Sequence, residues 1–239
     1  MKDDLEDRAI DVALHVEEKI ESSPYSALLI AETAPPETAR HPEVRLAKAR
    51  ALAAARGAEA ARPDLESLVR DEPDFAEARH ELGLVYEELG EEAAQSTQMQ
   101  KVRELDQRAD HESGFDFESS AGRIVAIARR VMSELPVKWR SRLAEVPILV
   151  EERPGAELVQ DGFDPRALGL FEGPDHAERN GVGTYVTPTR IVLYAANLAA
   201  FVDPNDDEEL AAEIEITLLH EIGHYFGLDE DELERMGLG

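Results

Sequence analysis

Cysteine is absent from this chain of 239 residues, which excludes disulfide bonds and cysteine-ligated zinc sites. Basic residues are scarce as well: 25 Lys and Arg stand against 52 Asp and Glu, giving a formal net charge of −27. Nucleic acids and anionic membrane surfaces both recruit clustered Lys and Arg. We therefore expect no nucleic-acid partner and no membrane partner, and a strongly solvated acidic surface.

Long apolar runs are also missing. The N-terminal stretch "MKDDLEDRAIDVALHVEEKI" carries charges every few residues and lacks the apolar core of a secretory signal. No run approaches the roughly 20 apolar residues of a membrane span. A cytoplasmic location is the expectation. Since 43% of the residues are hydrophobic, one large or two small packed domains can form.

The first half of the chain predicts helices separated by Gly or Pro. In the first helix, apolar residues recur at a roughly helical spacing: Leu5, Ile10, Ala13, Leu14 and Ile20. Further helices are predicted in "SPYSALLIAETAPPET", which ends at Pro35 and Pro36, and in "HPEVRLAKARALAAARG", "PDLESLVRDE", "DFAEARHELGLVYEELG" and "EEAAQSTQMQKVRELDQRAD". Residues 1–112 are therefore predicted to be an all-α region.

One part of this region, "AEARHELGLVYEELGEEAAQ", resembles a tetratricopeptide repeat. Leu82, Gly83, Tyr86 and Gly90 fall where that family places Leu, Gly, Tyr and the turn between its two helices. A small residue at Gly83 would let the helices approach closely, with Tyr86 beside the contact. The alternative is an ordinary helical bundle. The region could bind a protein partner or brace the second domain.

Residues 113–239 have a different composition, which predicts a second, α+β domain. The stretch 111–122 is expected to be a packed connection, followed by helices in "AGRIVAIARRVMSEL" and "VKWRSRLAEV". Strands are predicted in "PILVEE", "ALGLFEG" and "TRIVLYAANL", which are rich in Ile, Val, Leu and aromatic residues. We expect "TRIVLY" to be a sheet edge that could pair with an extended peptide.

The last long helix, in "DEELAAEIEITLLHEIGHYFG", contains the candidate metal-binding residues. Its apolar residues recur every fourth position, at Leu210, Ile214, Leu218, Ile222 and Phe226, and predict a buried stripe. His220 and His224 are also four apart, so both imidazoles can reach one metal ion from the same side. The sequence "HEIGH" is an H-E-x-x-H pattern, in which the acid reaches past the histidines toward a water molecule on the metal. Gly227 follows three residues after His224, where we expect the chain to turn back and bring in another ligand.

The segment "HEIGHYFGLDEDELERMG" resembles the closing segment of the small bacterial zincin-like metallopeptidases, the minimal metalloprotease family. The likeness extends upstream through "ALGLFEG" and "GTYVTPTRIVLYAANL", and covers about residues 115–239. It implies a compact zincin core in which a small sheet covers an active-site helix.

The family resemblance also implies a ligand set of two histidines and an acid, here His220, His224 and Glu230. Family members usually have Asp where this chain has Glu230, so Asp229 is the alternative third ligand. Asp231 and Glu234 are predicted to form a capping box for "ELERMG".

The predicted function is that of a zinc-dependent peptidase acting on a peptide or protein substrate, with Glu221 as general base. Tyr194 or Tyr185 could donate to the oxyanion. Imidazole and carboxylate also suit other divalent ions. The alternative from another class is a non-catalytic adaptor, which binds a protein partner through its N-terminal helices and uses zinc only for stability.

Overall fold

The computed structural model describes residues 2–173, 189–202 and 206–238. It divides into two compact units: unit 1 comprises residues 1–109 and 156–163, and unit 2 comprises residues 110–155 and 164–239. In the described ranges, no helix combines the length and the apolar composition that a bilayer span requires.

Unit 1 is all-helical, which confirms the predicted fold class of the first half. Its helices are α1 (Lys2–Ile20), α2 (Pro24–Glu32), α3 (Pro42–Arg56), α4 (Ala58–Asp71), α5 (Ala76–Glu88), most of α6 (Glu92–Ser113) and the short α9 (Ala156–Gln160). The last of these lies in a stretch that reads as loop from its Gly, Pro and Asp content.

Helix α3 is buried on two sides, which explains its alanine-rich sequence. Ala47 and Ala51 pack in one cluster with residues of α1 and α2, whereas Leu46 and Ala49 pack in another with residues of α4 and α5. Small side chains on both faces allow close helix contacts on both sides.

Two residues of the apolar set that predicted α1 lie outside its core. Ala13 is buried together with Ala9 and Val16, whereas Ile10 and Leu14 are 42% and 58% exposed. The apolar spacing of the sequence thus identified the helix but included two residues that do not pack. The neighbouring α3 offers mainly alanines on this side, and the small residues of α1 are the ones that face it.

The contact predicted at Gly83 is present. A Cβ atom at this position would lie 2.7 Å from the terminal methyl carbon of Met99, so α5 and α6 touch here because Gly83 has no side chain. Tyr86 is buried beside it, and its hydroxyl donates to Glu66 Oε1 at 3.1 Å. Helix α5 ends just before Gly90, whose φ is +70°.

In its described residues, unit 2 combines helices with a three-stranded sheet, as predicted for the second half. The elements described there are α7 (Phe117–Glu134), α8 (Val137–Leu143), β1 (Ile148–Glu151), β2 (Gly169–Glu172), β3 (Arg190–Tyr194), α10 (Ala195–Phe201), α11 (Asp207–Tyr225) and α12 (Glu230–Arg235). The expected connection at 111–122 is mostly helical, because α6 continues to Ser113 and α7 begins at Phe117.

The strand order is β1-β3-β2, so β3 is the central strand and its predicted edge position is wrong. It pairs in parallel with β1 and antiparallel with β2. The apolar run "IVLY" has no polar alternation because Ile191 to Tyr194 are all buried, as a central strand requires. The following residues, "AANL", form α10 rather than more strand.

The core of unit 2 lies between the sheet and the two long helices α7 and α11. Ile124, Ala128 and Val131 of α7 pack with Ile191 and Leu193 of β3 in this cluster. The predicted stripe of α11 completes it: Leu210, Ile214, Leu218 and Ile222 are at most 8% exposed. The sheet and α7 therefore fix the helix that carries the histidines.

Candidate metal centre

Helix α11 presents the two histidines on the side away from its buried stripe. Asp206 caps the N-terminus and accepts hydrogen bonds from the backbone N–H groups of Glu208 and Glu209, both at 2.9 Å. The side chains of His220 and His224 are 21% and 26% exposed. They are therefore reachable from solvent while their helix is anchored in the core.

Helix α11 ends in a Schellman motif that turns the chain back. Gly227 has a φ of +82°, its N–H donates to the His224 carbonyl at 2.9 Å, and the Leu228 N–H donates to the Gly223 carbonyl at 3.1 Å. The turn that the sequence places at Gly227 is therefore present. Helix α12 begins three residues after Gly227.

Helix α12 begins at Glu230, one residue after its cap. Asp229 Oδ1 accepts from the Glu232 N–H at 2.9 Å, and Glu232 Oε2 accepts from the Asp229 N–H at 3.1 Å, which is a capping box. The box predicted at Asp231 and Glu234 is therefore wrong by two residues. One oxygen of the Asp229 carboxylate is therefore engaged in capping α12.

Helix α12 packs against α11 at Gly223, the fourth residue of "HEIGH". A Cβ atom at Gly223 would overlap the Leu233 side chain, which is fully buried. The absence of a side chain at Gly223 therefore sets how closely α12 approaches, and with it the position of every group that α12 carries.

Three groups converge at this contact. The Nε2 atoms of His220 and His224 lie 2.9 Å apart. Glu230 Oε2 lies 3.6 Å from His220 Nε2, and Glu230 Oε1 lies 3.3 Å from His224 Nε2. The three residues form a group whose ligand atoms all lie within 4.8 Å of one another. The structure thus brings together the two predicted histidines and the predicted acid.

The hydrogen bonds of the two rings fix their tautomers. His220 Nδ1 lies 2.6 Å from the Leu238 carbonyl oxygen, and His224 Nδ1 lies 3.2 Å from the Leu228 carbonyl oxygen. A carbonyl can only accept, so both Nδ1 atoms carry the proton. Neutral rings in this tautomer direct two Nε2 lone pairs at the same point, beside a carboxylate. A metal ion at that point would accept both lone pairs and the carboxylate.

The donor set fits a zinc ion. Two ligand atoms at about 2.0–2.1 Å from a tetrahedral zinc ion lie about 3.3 Å from each other. The two Nε2 atoms lie 2.9 Å apart, and each lies 3.3 or 3.6 Å from a different oxygen of the Glu230 carboxylate, so the three side chains can turn toward one ion. Two imidazoles and one carboxylate are also a common set for catalytic zinc, which keeps a fourth position open.

Glu221 lies on the side of α11 that faces β2. It is 6% exposed and accepts a hydrogen bond from the backbone N–H of Phe171. Burial raises the pKa of Glu221 to about 7, while His220 and the Phe171 N–H act in the opposite direction. A carboxyl group with this pKa can both accept and release a proton near neutral pH.

Of the two tyrosines that the sequence suggests as oxyanion donors, the structure describes only Tyr194. Tyr194, at the end of β3, is 1% exposed, and burial raises its pKa above the usual range. Its phenol is therefore protonated at neutral pH, and its role stays a prediction. Tyr185 lies outside the described residues.

Sequence reasoning missed the small residues and carbonyls around the site. Gly169 of β2 lies so close to Glu221 that a Cβ atom there would be 3.0 Å from Glu221 Oε1. Gly223, Leu228 and Leu238 orient the ligands through packing or through backbone carbonyls. A detectable signal was Gly237, since a glycine just after a short helix is typical of a Schellman motif.

Comparison with known families bears on the same part of the chain. A family model described as zincin-like metallopeptidase matches residues 143–239, the portion that contains the three strands, α11 and α12. Comparison with curated proteins gave no match. The match begins after α7, later than the resemblance read from the sequence. Residues 143–239 of this chain are thus similar to the zincin-like metallopeptidases, in agreement with the resemblance read from the sequence.

Proposed function

We propose that the chain is a zinc-dependent peptidase whose catalytic domain spans residues 113–239. The observation that carries the proposal is the convergence of His220 Nε2, His224 Nε2 and the Glu230 carboxylate, one residue along the helix from a buried acid. The match of residues 143–239 to the family model of the zincin-like metallopeptidases supports a peptidase at the level of reaction class.

His220, His224 and Glu230 would hold the ion, and the two carbonyls at the Nδ1 atoms would orient the rings. When bound, zinc supplies Lewis-acid activation of a water molecule and of the scissile carbonyl. Glu230 is the third ligand in this proposal because Asp229 is occupied as the cap of α12.

Glu221 is proposed as the general base and acid. Its raised pKa of about 7 suits a group that takes a proton from the attacking water and later gives it to the leaving amine. The Phe171 N–H and the close backbone of Gly169 hold its carboxylate on the sheet side of the helix.

The substrate is proposed to be an extended peptide lying along β2. Among the described strands, β2 pairs with β3 and with no other, and its Phe171 N–H donates to Glu221, so a peptide along β2 would pair with the backbone groups beside Phe171. This strand also contacts Glu221, which would bring a peptide bond near the proposed base.

Residues 1–112 are proposed to be a tetratricopeptide-like region that binds a protein partner or braces the fold. The close approach of Gly83 to Met99 and the buried Tyr86 support repeat-like pairing of α5 with α6. Their role in substrate capture is part of the proposal.

The deciding experiment compares Glu221→Gln with Glu215→Gln, an exposed acid on the same helix. Both proteins should retain zinc by elemental analysis, because neither residue is a ligand. Glu221→Gln should lose cleavage of a mixed peptide library, whereas Glu215→Gln should retain it. A zinc-loaded wild-type protein that cleaves nothing in the library would favour the non-catalytic adaptor.

A further inference from the structure

The residues after α12 form a second Schellman motif directly behind the metal centre. The Gly237 N–H donates to the Glu234 carbonyl and the Leu238 N–H donates to the Leu233 carbonyl, both at 3.0 Å, and Gly237 has a φ of +75°. This turn places the Leu238 carbonyl oxygen 2.6 Å from His220 Nδ1. Each of these two Schellman motifs thus supplies a backbone carbonyl to a histidine ring. The Leu228 carbonyl accepts from His224 Nδ1, and the Leu238 carbonyl accepts from His220 Nδ1.

We propose that the turn at Gly237 and Leu238 is a positioning element that sets the metal affinity of the site. The Leu238 carbonyl acts through His220: it holds the ring in one orientation and keeps the proton on Nδ1. The inference rests on the metal site of the proposed function, but not on peptide cleavage.

The physical reason is the freedom of an imidazole without this acceptor. A neutral ring would divide between two tautomers and could turn about its side-chain bonds. The tautomer protonated on Nε2 has no lone pair to offer on the side of His224 and Glu230. Hydrogen-bond partners of this kind typically change metal affinity by about 10-fold to 100-fold.

The position of the turn affects the metal site because the short helix α12 connects two groups of that site. Its first residue, Glu230, supplies the carboxylate, and the turn after its last residue supplies the acceptor for His220. Leu233, packed against Gly223, holds the helix between them. Shifting the turn therefore disturbs the ring while leaving the cap at Asp229 in place.

Gly237 offers a clean perturbation. Its φ of +75° is poorly tolerated by a β-branched residue, and a Cβ atom there would meet no atom within 4 Å. A Gly237→Val substitution thus strains the turn without a steric clash at Cβ. Gly114 is the matched control, because its φ is +74°, its surroundings are equally open, and it closes α6 with the same pair of backbone hydrogen bonds.

The first measurement is the zinc dissociation constant of each full-length protein, by competition with a chromogenic chelator at fixed pH. Gly237→Val should bind zinc about 10-fold to 100-fold more weakly than the wild type. Gly114→Val should stay within about twofold, although both variants carry the same backbone strain. Thermal unfolding of the metal-free proteins verifies that both variants are folded.

The second measurement is the histidine N–H spectrum of metal-free protein labelled with nitrogen-15. Wild type and Gly114→Val should show a slowly exchanging proton on His220 Nδ1, and Gly237→Val should lose it. A merely structural role of the turn would not remove this single resonance from a folded protein.

The outcomes separate the two proposals. A wild-type protein that binds no zinc overturns the metal site of the proposed function. If both valine variants bind zinc as tightly as the wild type does, the present inference alone is overturned. If Gly237→Val is unfolded, the wild-type spectrum decides, since a missing Nδ1 proton at His220 also overturns the inference.

Discussion

The Nε2 atoms of His220 and His224 lie 2.9 Å apart while both Nδ1 atoms donate to backbone carbonyls. Neither Nε2 atom of a neutral pair can therefore donate to the other. The two lone pairs point at a common centre together with the carboxylate of Glu230. A cation at that centre would be bound by all three groups at once.

Zinc should therefore stabilise the folded protein. At a free zinc concentration 100 times the dissociation constant, the expected gain in the free energy of unfolding is about 2.7 kcal/mol. Thermal unfolding with zinc and with a chelator measures it. The difference should disappear in His224→Ala and persist in His111→Ala, whose exposed histidine lies at the end of α6. An equal zinc effect in both variants would contradict the site.

The two neighbouring acids should have opposite phenotypes. Glu230→Gln should weaken zinc binding with little change in stability, because the Glu230 side chain is 69% exposed. Asp229→Ala should keep zinc binding nearly intact but lose about 1 kcal/mol of stability, since it removes the cap of α12. Zinc titration and denaturant unfolding of both variants make the comparison. A zinc defect confined to Asp229→Ala would reverse the ligand assignment.

Gly169 should matter for turnover rather than for metal binding. An added Cβ would lie 2.9 Å from Thr217 Cγ2 and 3.0 Å from Glu221 Oε1, so Gly169→Ala should displace the Glu221 carboxylate. Misplacing a catalytic group by about 1 Å can cost about 100-fold in rate. We expect kcat to fall while the zinc dissociation constant stays unchanged.

The control for this prediction is Gly155→Ala, because a Cβ atom at Gly155 would meet nothing within 4 Å. Steady-state kinetics and zinc titration of the two alanine variants are the measurements. Equal kcat values would show that the contact between Gly169 and Glu221 has no catalytic role.

The raised pKa of Glu221 predicts a pH dependence of stability in the metal-free protein. The folded state holds the proton with a pKa of about 7, against a reference value of 4.5, so this group favours folding at low pH. Its contribution is complete below pH 4.5 and is lost as the pH rises through 7. The shift corresponds to a stability change on the order of 3 kcal/mol.

Glu221→Gln should remove this component, because an amide does not titrate in this range. Denaturant unfolding between pH 5 and pH 8 in the presence of a chelator compares it with wild type and with Glu215→Gln. Parallel pH profiles for all three proteins would be inconsistent with the buried protonated carboxyl group.

The sequence predicted the parts of the fold that local patterns encode. The four-residue spacing of Leu210, Ile214, Leu218 and Ile222 identified both α11 and its buried face, because a long helix against a sheet needs such a stripe. Gly227 predicted the reversal after α11, since the left-handed conformation there suits glycine.

The features that sequence could not give depend on tertiary packing. Ile10 and Leu14 are more hydrophobic than Ala9, yet they are exposed, whereas Ala9 is buried in the cluster that α1 forms with α2 and α3. The central position of β3 follows from its pairing on both sides, which no local pattern specifies. The carbonyl acceptors of the histidines belong to residues whose side chains are irrelevant to that role.

The most direct test of the metal centre is X-ray absorption at the zinc edge of the zinc-loaded, full-length protein. The account predicts one zinc per chain with two imidazole nitrogens at about 2.0–2.1 Å and a carboxylate oxygen at a similar distance. One imidazole contribution should be lost in His220→Ala. A spectrum without imidazole scattering, or one that His220→Ala leaves unchanged, would contradict the assignment of His220, His224 and Glu230 as the zinc ligands.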